Sequence, residues 1–556
     1  MYTSNTSPGM RTTTIILAFF TLHANGQYLA EGRYLHQQGT SFTYGIVTDA
    51  EGNIIIGGQV QDNIDFDPGT GDGVLEIIGE SDGYVCKLGP SGQFLWVARF
   101  GGDEAQVEWV QDVVTDAAGN VYGVGYFSGL ADFDPGVGVT QLSGGQLDGY
   151  LVKLGPTGEL IWAKEVGGSG SDGLSGLTLT DTGDIIVSGF VDIQAFANDI
   201  PLLNTQRGGL VASFQPDGTF NWARILPSSS ARNVTDVCVG PDGGIYGVGL
   251  FSGTLDLDPG PNTFQVVSAG GDDGFYFKLD AAGEFLWGGR FGGPLEDWCY
   301  DMDVNAVGEM FLAGHFRGAS TIGNGTAVTD ITAGSTSDAL IAKIDSEGAV
   351  AWAYGLPGNG RSHSVRVMSD GDILFNGQLG DTVDFDPGPG IAEVAIAANS
   401  DMYLARYTSG GDFVSVLIIG GVTVGRGLYV DPADVIYAAG STGGQIDLDP
   451  GPAVLADSSN SLASFYVRLA EVGPTAVNER ATFSAFYPNP VRTGQLLTTG
   501  LGTGRVRIRD SAGRVCADLG VINGERPIVV DLPEGAYLLE WNDGRMQRVH
   551  RFVVVQ

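Results

Sequence analysis

One stretch of sequence recurs along this chain, and it constrains the fold more than any single residue does. The clearest copy runs from Asp148 to Trp162, reading Asp-Gly-Tyr-Leu-Val-Lys-Leu-Gly-Pro-Thr-Gly-Glu-Leu-Ile-Trp. Near-identical copies start at Asp82 and Asp273, looser ones at Gly208 and Asp338, and worn ones at Asp401 and Ala463. Each but the last, which stops after one strand, reads as two alternating strands around a glycine-containing turn. Ahead of the copies stand Gly58, Gly125, Gly189, Gly249, Gly314, Gly377 and Gly440, spaced 67, 64, 60, 65, 63 and 63 residues apart. Each of these glycines closes a further strand. A period of this size, with about four strand-like segments and no helical spacing, predicts propeller blades. Seven glycines predict seven.

The two ends of the repeat array suggest how the ring closes. Full units finish with a strand like Gly92 to Trp96, whereas the seventh stops after Phe465 to Leu469. Near the start, Gly32-Arg33-Tyr34-Leu35-His36 stands alone, with His36 in the tryptophan place. The N-terminal strand is therefore expected to complete the last blade and remove its open edge. The fold class is all-β: a seven-bladed β-propeller over residues 27–473, then a small C-terminal β-sandwich. Gly at 88 of 556 residues, with 43% hydrophobic and only 17% charged, agrees with many short strands and tight turns.

Residues 1–26 read as a signal peptide. Arg11 precedes the apolar run Ile15 to Phe20, small residues follow at Ala24 to Gly26, and the run is too short to span a bilayer. Met10 offers an alternative start. No later segment has the length and apolarity of a membrane helix, so the mature chain is read as exported without a transmembrane segment.

The repeats resemble the bacterial seven-bladed propeller repeat called SBBP, over roughly residues 40 to 470. That resemblance speaks for fold and little for function. Residues 474–484 read as a linker. Beyond it come Phe486-Tyr487-Pro488-Asn489-Pro490, the turn Asp510-Ser511-Ala512-Gly513, Leu532 to Leu539 and the closing Arg551 to Val555. In this order they resemble the C-terminal sorting domain of type IX secretion substrates in Bacteroidetes, over residues 485–556. The resemblance implies a partner, the type IX machinery, and a route to the cell surface or the medium. An accessory sandwich that binds something else is the alternative.

Charge excludes one class of partner. From Pro474 onward 10 Arg and 8 acidic residues give +2, which leaves −39 of the total −37 on the rest. So acidic a body repels phosphate backbones, and nucleic acid is not expected as a partner. An extracellular glycan or protein remains open. Cys86, Cys238, Cys299 and Cys516 form no paired framework, and Cys238 and Cys299 sit at different offsets in neighbouring repeats.

The sharpest candidate for chemistry is Asp-(Phe/Leu)-Asp-Pro-Gly. It places Asp65 and Asp67, Asp132 and Asp134, Asp256 and Asp258, Asp384 and Asp386, and Asp447 and Asp449 on strand ends. In each copy the apolar residue faces the core and the two carboxylates face away together. Two readings stand. The pairs are Ca²⁺ ligands beside turn carbonyls, or they accept turn amides and end the strand. On the same face the sequence places Asp103, Glu104, Asp172, Glu296 and Asp297, expected as an acidic surface. Ser81 matches a nucleophile-elbow pattern without the helix that chemistry needs and reads as a turn residue. His36, His315, His363 and His550 form no metal pair, and His315 is placed to face the central channel.

No catalytic set emerges. The function expected is an exported surface or secreted binding or scaffold protein. The alternative is an extracellular polysaccharide hydrolase or lyase using propeller carboxylates, which requires two of them facing each other across a pocket.

Overall fold

The computed structural model describes residues 27–555 except 37, 68–72, 103–107, 198–199, 203–205, 231–232, 326–327, 335, 389, 395–399, 422, 449–455, 473–490, 493–495, 498–503, 511–513, 523–527, 530–531, 533–534 and 543–546. The signal peptide, the linker, Asp103, Glu104 and Asp449 lie outside these. The chain divides into two compact units, 1–471 and 472–556.

In the first unit four-stranded antiparallel blades follow one another. Blade one pairs Ser41–Thr48, Ile54–Val60, Asp82–Leu88 and Phe94–Phe100 in that order. The first strands of the other blades are Glu108–Thr115, Gly173–Leu179, Val234–Val239, Trp298–Val304, Arg361–Val367 and Thr423–Val430. Each first strand touches the first strand of the next blade, and the seventh touches that of blade one. They are the innermost strands of a closed ring. In the last blade Gln27–Tyr34 takes the outer place, paired with Ala456–Val472. The fold is a β-propeller.

The acid, lysine, tryptophan and turn glycine of the repeated text each have a packing reason. The opening acid, as in Asp148, is buried and accepts the Gly145 and Gly168 amides at 2.9 and 3.2 Å. Lys87 sits 2.8 Å from the Asp49 carboxylate and donates to Pro156 O in the next blade. Trp96 Nε1 donates to that same carbonyl at 3.0 Å. Lys343 and Trp352 grip Ser409 O in the same way. Gly158 closes its turn at φ 90°, and a Cβ there would stand 2.8 Å from the Trp96 ring. Thus the lysine and tryptophan of one blade hold the glycine turn of the next.

Two expectations need correction. His36 does not take the tryptophan place: Leu35 N already bonds Ser464 O, and His36 lies past the strand end with its ring bonded to Gln38 O and Ser41 Oγ. Asp172 and Asp297 are not surface acids. Both are buried and accept backbone amides, from Asp192 and from Gly293 and Arg317. All four cysteines are free.

The second unit holds a five-stranded sheet ordered Val491–Arg492, Gln547–Val555, Gly535–Asn542, Gly504–Asp510, Val515–Ile522, and the pair Leu496–Leu497 with Ile528–Val529.

Candidate ligand site at the channel mouth

The periodic glycines build the site. Each sits opposite a β-bulge in the innermost strand, where one extra residue is left out of the ladder. The pairing jumps from Thr43 to Gly45, Val110 to Asp112, Leu174 to Gly176, Val234 to Asp236, Cys299 to Asp301, Ser362 to Ser364 and Gly425 to Gly427. A side chain on the opposite strand would block this geometry. A Cβ on Gly125 would stand 1.7 Å from Trp109 O, and one on Gly314 would stand 2.2 Å from Trp298 O. The glycines are therefore required by close approach of the neighbouring carbonyl, not by an unusual φ.

The skipped residues are Tyr44, Gln111, Ser175, Thr235, Tyr300, His363 and Arg426, one from every blade. All seven line a single open cavity of about 480 Å³, within the range of small-ligand sites. Tyr44 stacks on Trp109 at 5.9 Å, and Trp109 leans on Tyr126 at 5.0 Å. Opposite them Tyr300 stacks on the buried His315 at 5.6 Å, bonds its Nδ1 at 3.1 Å, and meets His363 at 5.1 Å. His315 thus supports the wall from behind. Nε1 of both Trp109 and Trp298 is buried without a partner in the protein, so whatever part of each indole is exposed is carbon.

Two arginines, Arg361 and Arg426, complete the cavity's rim. Arg361 Nη1 donates to Tyr300 OH at 3.5 Å, and the Arg426 guanidinium lies 5.2 Å from the Tyr44 ring centre. Burial, then the charges of Arg426 and Arg361, push the His363 pKa down to about 3. His315 is held at about 3 by burial, with Arg361 and Arg317 adding to it. Both rings are neutral at ordinary pH.

Below the aromatic wall the carboxylates fasten the blades together. Asp112 accepts the amides of Val113 and, from blade three, Leu177. Asp301 accepts Met302 N, blade six's Val365 N at 3.0 Å, and Arg366 Nη1 at 2.8 Å. Asp236 accepts Met302 N from blade five and shares a hydrogen bond with Asp301. Burial pushes Asp112 up to about 7, and burial plus the neighbouring Asp301 raise Asp236 well above the usual carboxylate range. For Arg366 burial works against the charge, but Asp301, Asp303 and Asp236 outweigh it and raise its pKa.

The Asp-Pro-Gly motifs lie at the strand ends on this same side. Asp132 Oδ1 takes the amides of Asp134 and Thr140 at 3.0 and 2.8 Å, and Asp134 Oδ1 takes Gly136 N. Asp256 with Asp258, and Asp384 with Asp386, repeat this pattern. Asp65 accepts Asp67 N at 3.0 Å. Asp447 ends the strand Ile436–Asp447. The apolar middles Phe66, Phe133, Leu257, Phe385 and Leu448 are buried. Among the described residues no three His, Cys, Asp or Glu side chains gather as a metal would require.

No family model matches the chain. An uncharacterised WD repeat-containing protein of Acanthamoeba polyphaga mimivirus is 22% identical over 457 residues, covering 68% of this chain. The match spans 32% of that protein's length. Among solved structures, virginiamycin B lyase from Staphylococcus aureus is 12% identical at a TM-score of 0.38, covering 80% of this chain and all of the other. PorZ, a surface component of the type IX secretion system of Porphyromonas gingivalis, is 12% identical at 0.23, covering 92% and 75%. These neighbours are β-propellers; their activities do not transfer at such distances. Among the described residues no helix is long and apolar enough to cross a membrane.

Proposed function

We propose that this chain is an exported binding protein, an SBBP-type propeller at the cell surface or in the medium, whose ligand site is the channel mouth. Residues 485–556 act as its type IX sorting unit, and its partner is an extracellular glycan or protein-borne group. The observation that carries this is the ring of seven bulges. One residue from every blade is displaced into one cavity, and these residues differ in kind while the glycines behind them do not. Such a design keeps a rigid frame and varies what it presents.

The hydrolase or lyase alternative fits the cavity less well. Glycoside hydrolysis places two carboxyls about 5–9.5 Å apart across the bond. Here Asp236 and Asp301 are hydrogen-bonded to each other, and each also holds a backbone amide of a neighbouring strand.

The test is a thermal-shift screen of the full-length protein against neutral sugars, sugar acids, amino acids and short peptides. Ser175→Trp, which fills the cavity, serves as comparison. Compounds that raise the melting temperature of the wild type but not of the variant support the reading. Stabilisers that act equally on both place binding elsewhere and overturn it.

A further inference from the structure

We infer that the cavity takes a carboxylic acid borne on a ring, the carboxylate held by Arg361 and Arg426 and the ring laid against the aromatic wall. This rests on the channel-mouth reading above and names its ligand class.

The arginines carry the argument. Asp and Glu outnumber Lys and Arg by 65 to 28 in this chain, so a cation here finds a carboxylate easily. Arg99, Arg207, Arg224, Arg290, Arg317, Arg366 and Arg406 all do. Among the described residues Arg361 and Arg426 form no ion pair, although both line a cavity that also contains Asp112, Asp236 and Asp301. Those acids are turned to backbone amides and to Arg366, so they do not neutralise the rim. Both guanidiniums line this one cavity, Arg361 bonded to Tyr300 OH and Arg426 beside the Tyr44 ring. A guanidinium is matched to a planar carboxylate, which it can bind through two parallel N–H groups.

The neighbours decide the rest. His363 and His315 are neutral, and among the described residues no lysine lines the cavity. Tyr44, Trp109, Tyr300 and His363 line the cavity, and aromatic walls of this kind receive another ring or the apolar face of a sugar. Two sources share this chemistry, an acidic sugar and an aromatic acid.

The experiment is calorimetric titration of the full-length protein with D-glucuronate, benzoate, D-glucose and inorganic phosphate. We expect glucuronate or benzoate to bind and glucose not to, with Arg361→Ala and Arg426→Ala each lowering affinity about tenfold or more. Arg361→Lys should recover part of the loss, because a point charge remains without the planar fork. Whichever acid binds more tightly identifies the source. Circular dichroism and melting of each variant separate lost binding from lost fold. Glucose binding as tightly as glucuronate, unaffected by the arginine variants but abolished by Ser175→Trp, would overturn the acid class and leave the channel-mouth reading standing. Phosphate binding more tightly than either acid would also overturn it, as would failure of both acids to bind.

Discussion

Asp112 and His363 sit within one cavity and titrate in opposite senses. The Asp112 pKa is raised from 3.8 to about 7, so between those values the folded chain holds a proton that the unfolded chain has released. Its contribution to stability is complete below the unfolded value and is lost as pH rises through about 7. Asp112→Asn should therefore gain stability relative to wild type as pH is raised from about 4 to 8, read as the difference between their melting temperatures. His363 is lowered from 6.5 to about 3, so its contribution is present above the unfolded value and fades on acidification. His363→Gln should gain on wild type as pH falls from about 7 to 4. Parallel curves for either pair would contradict the burial described. None of this was legible in the sequence. Asp112, Asp236 and Asp301 each stand 13 positions before their glycine, but that offset says nothing of burial, and only the ring places them beside each other.

At the scale of elements, the periodic glycines were visible at once, but their purpose was not. Each channel residue stands 14 positions before its glycine, from Tyr44 with Gly58 to Arg426 with Gly440. The signal was present as a fixed offset. The seven residues are of six types, so the offset carries no common letter by which to notice it. Gly314→Ala should open the bulge that places Tyr300 and cost about 1–3 kcal/mol by overpacking; denaturant unfolding measures the loss, and binding should fall further than stability explains. The Asp-Pro-Gly motif was the opposite case, a strong repeated signal with two readings. Its Oδ1 atoms hold amides, so Asp256→Ala should cost about 1–3 kcal/mol whether the melt is run with Ca²⁺ or with chelator. A loss seen only with Ca²⁺ would make the motif a metal site.

On the scale of the whole chain, the period and the strand alternation made the all-β propeller legible, because each blade repeats one packing solution. What the channel holds was not, since the inner surface is assembled from residues some 60 positions apart. The sorting role proposed for residues 485–556 has its own test. In a host carrying type IX machinery, deleting them should leave the propeller in the periplasm, read by fractionation, and the deletion should leave its melting temperature unchanged.

The central claim is that the seven bulge residues form the ligand site, and one measurement addresses it most directly. The compound that most stabilises the full-length protein should be diffused into its crystals and the bound structure solved. The account expects ligand density within the ring of Tyr44, Tyr300, His363 and Arg426. Density only on the outer blades or beside the Asp-Pro-Gly turns would contradict it.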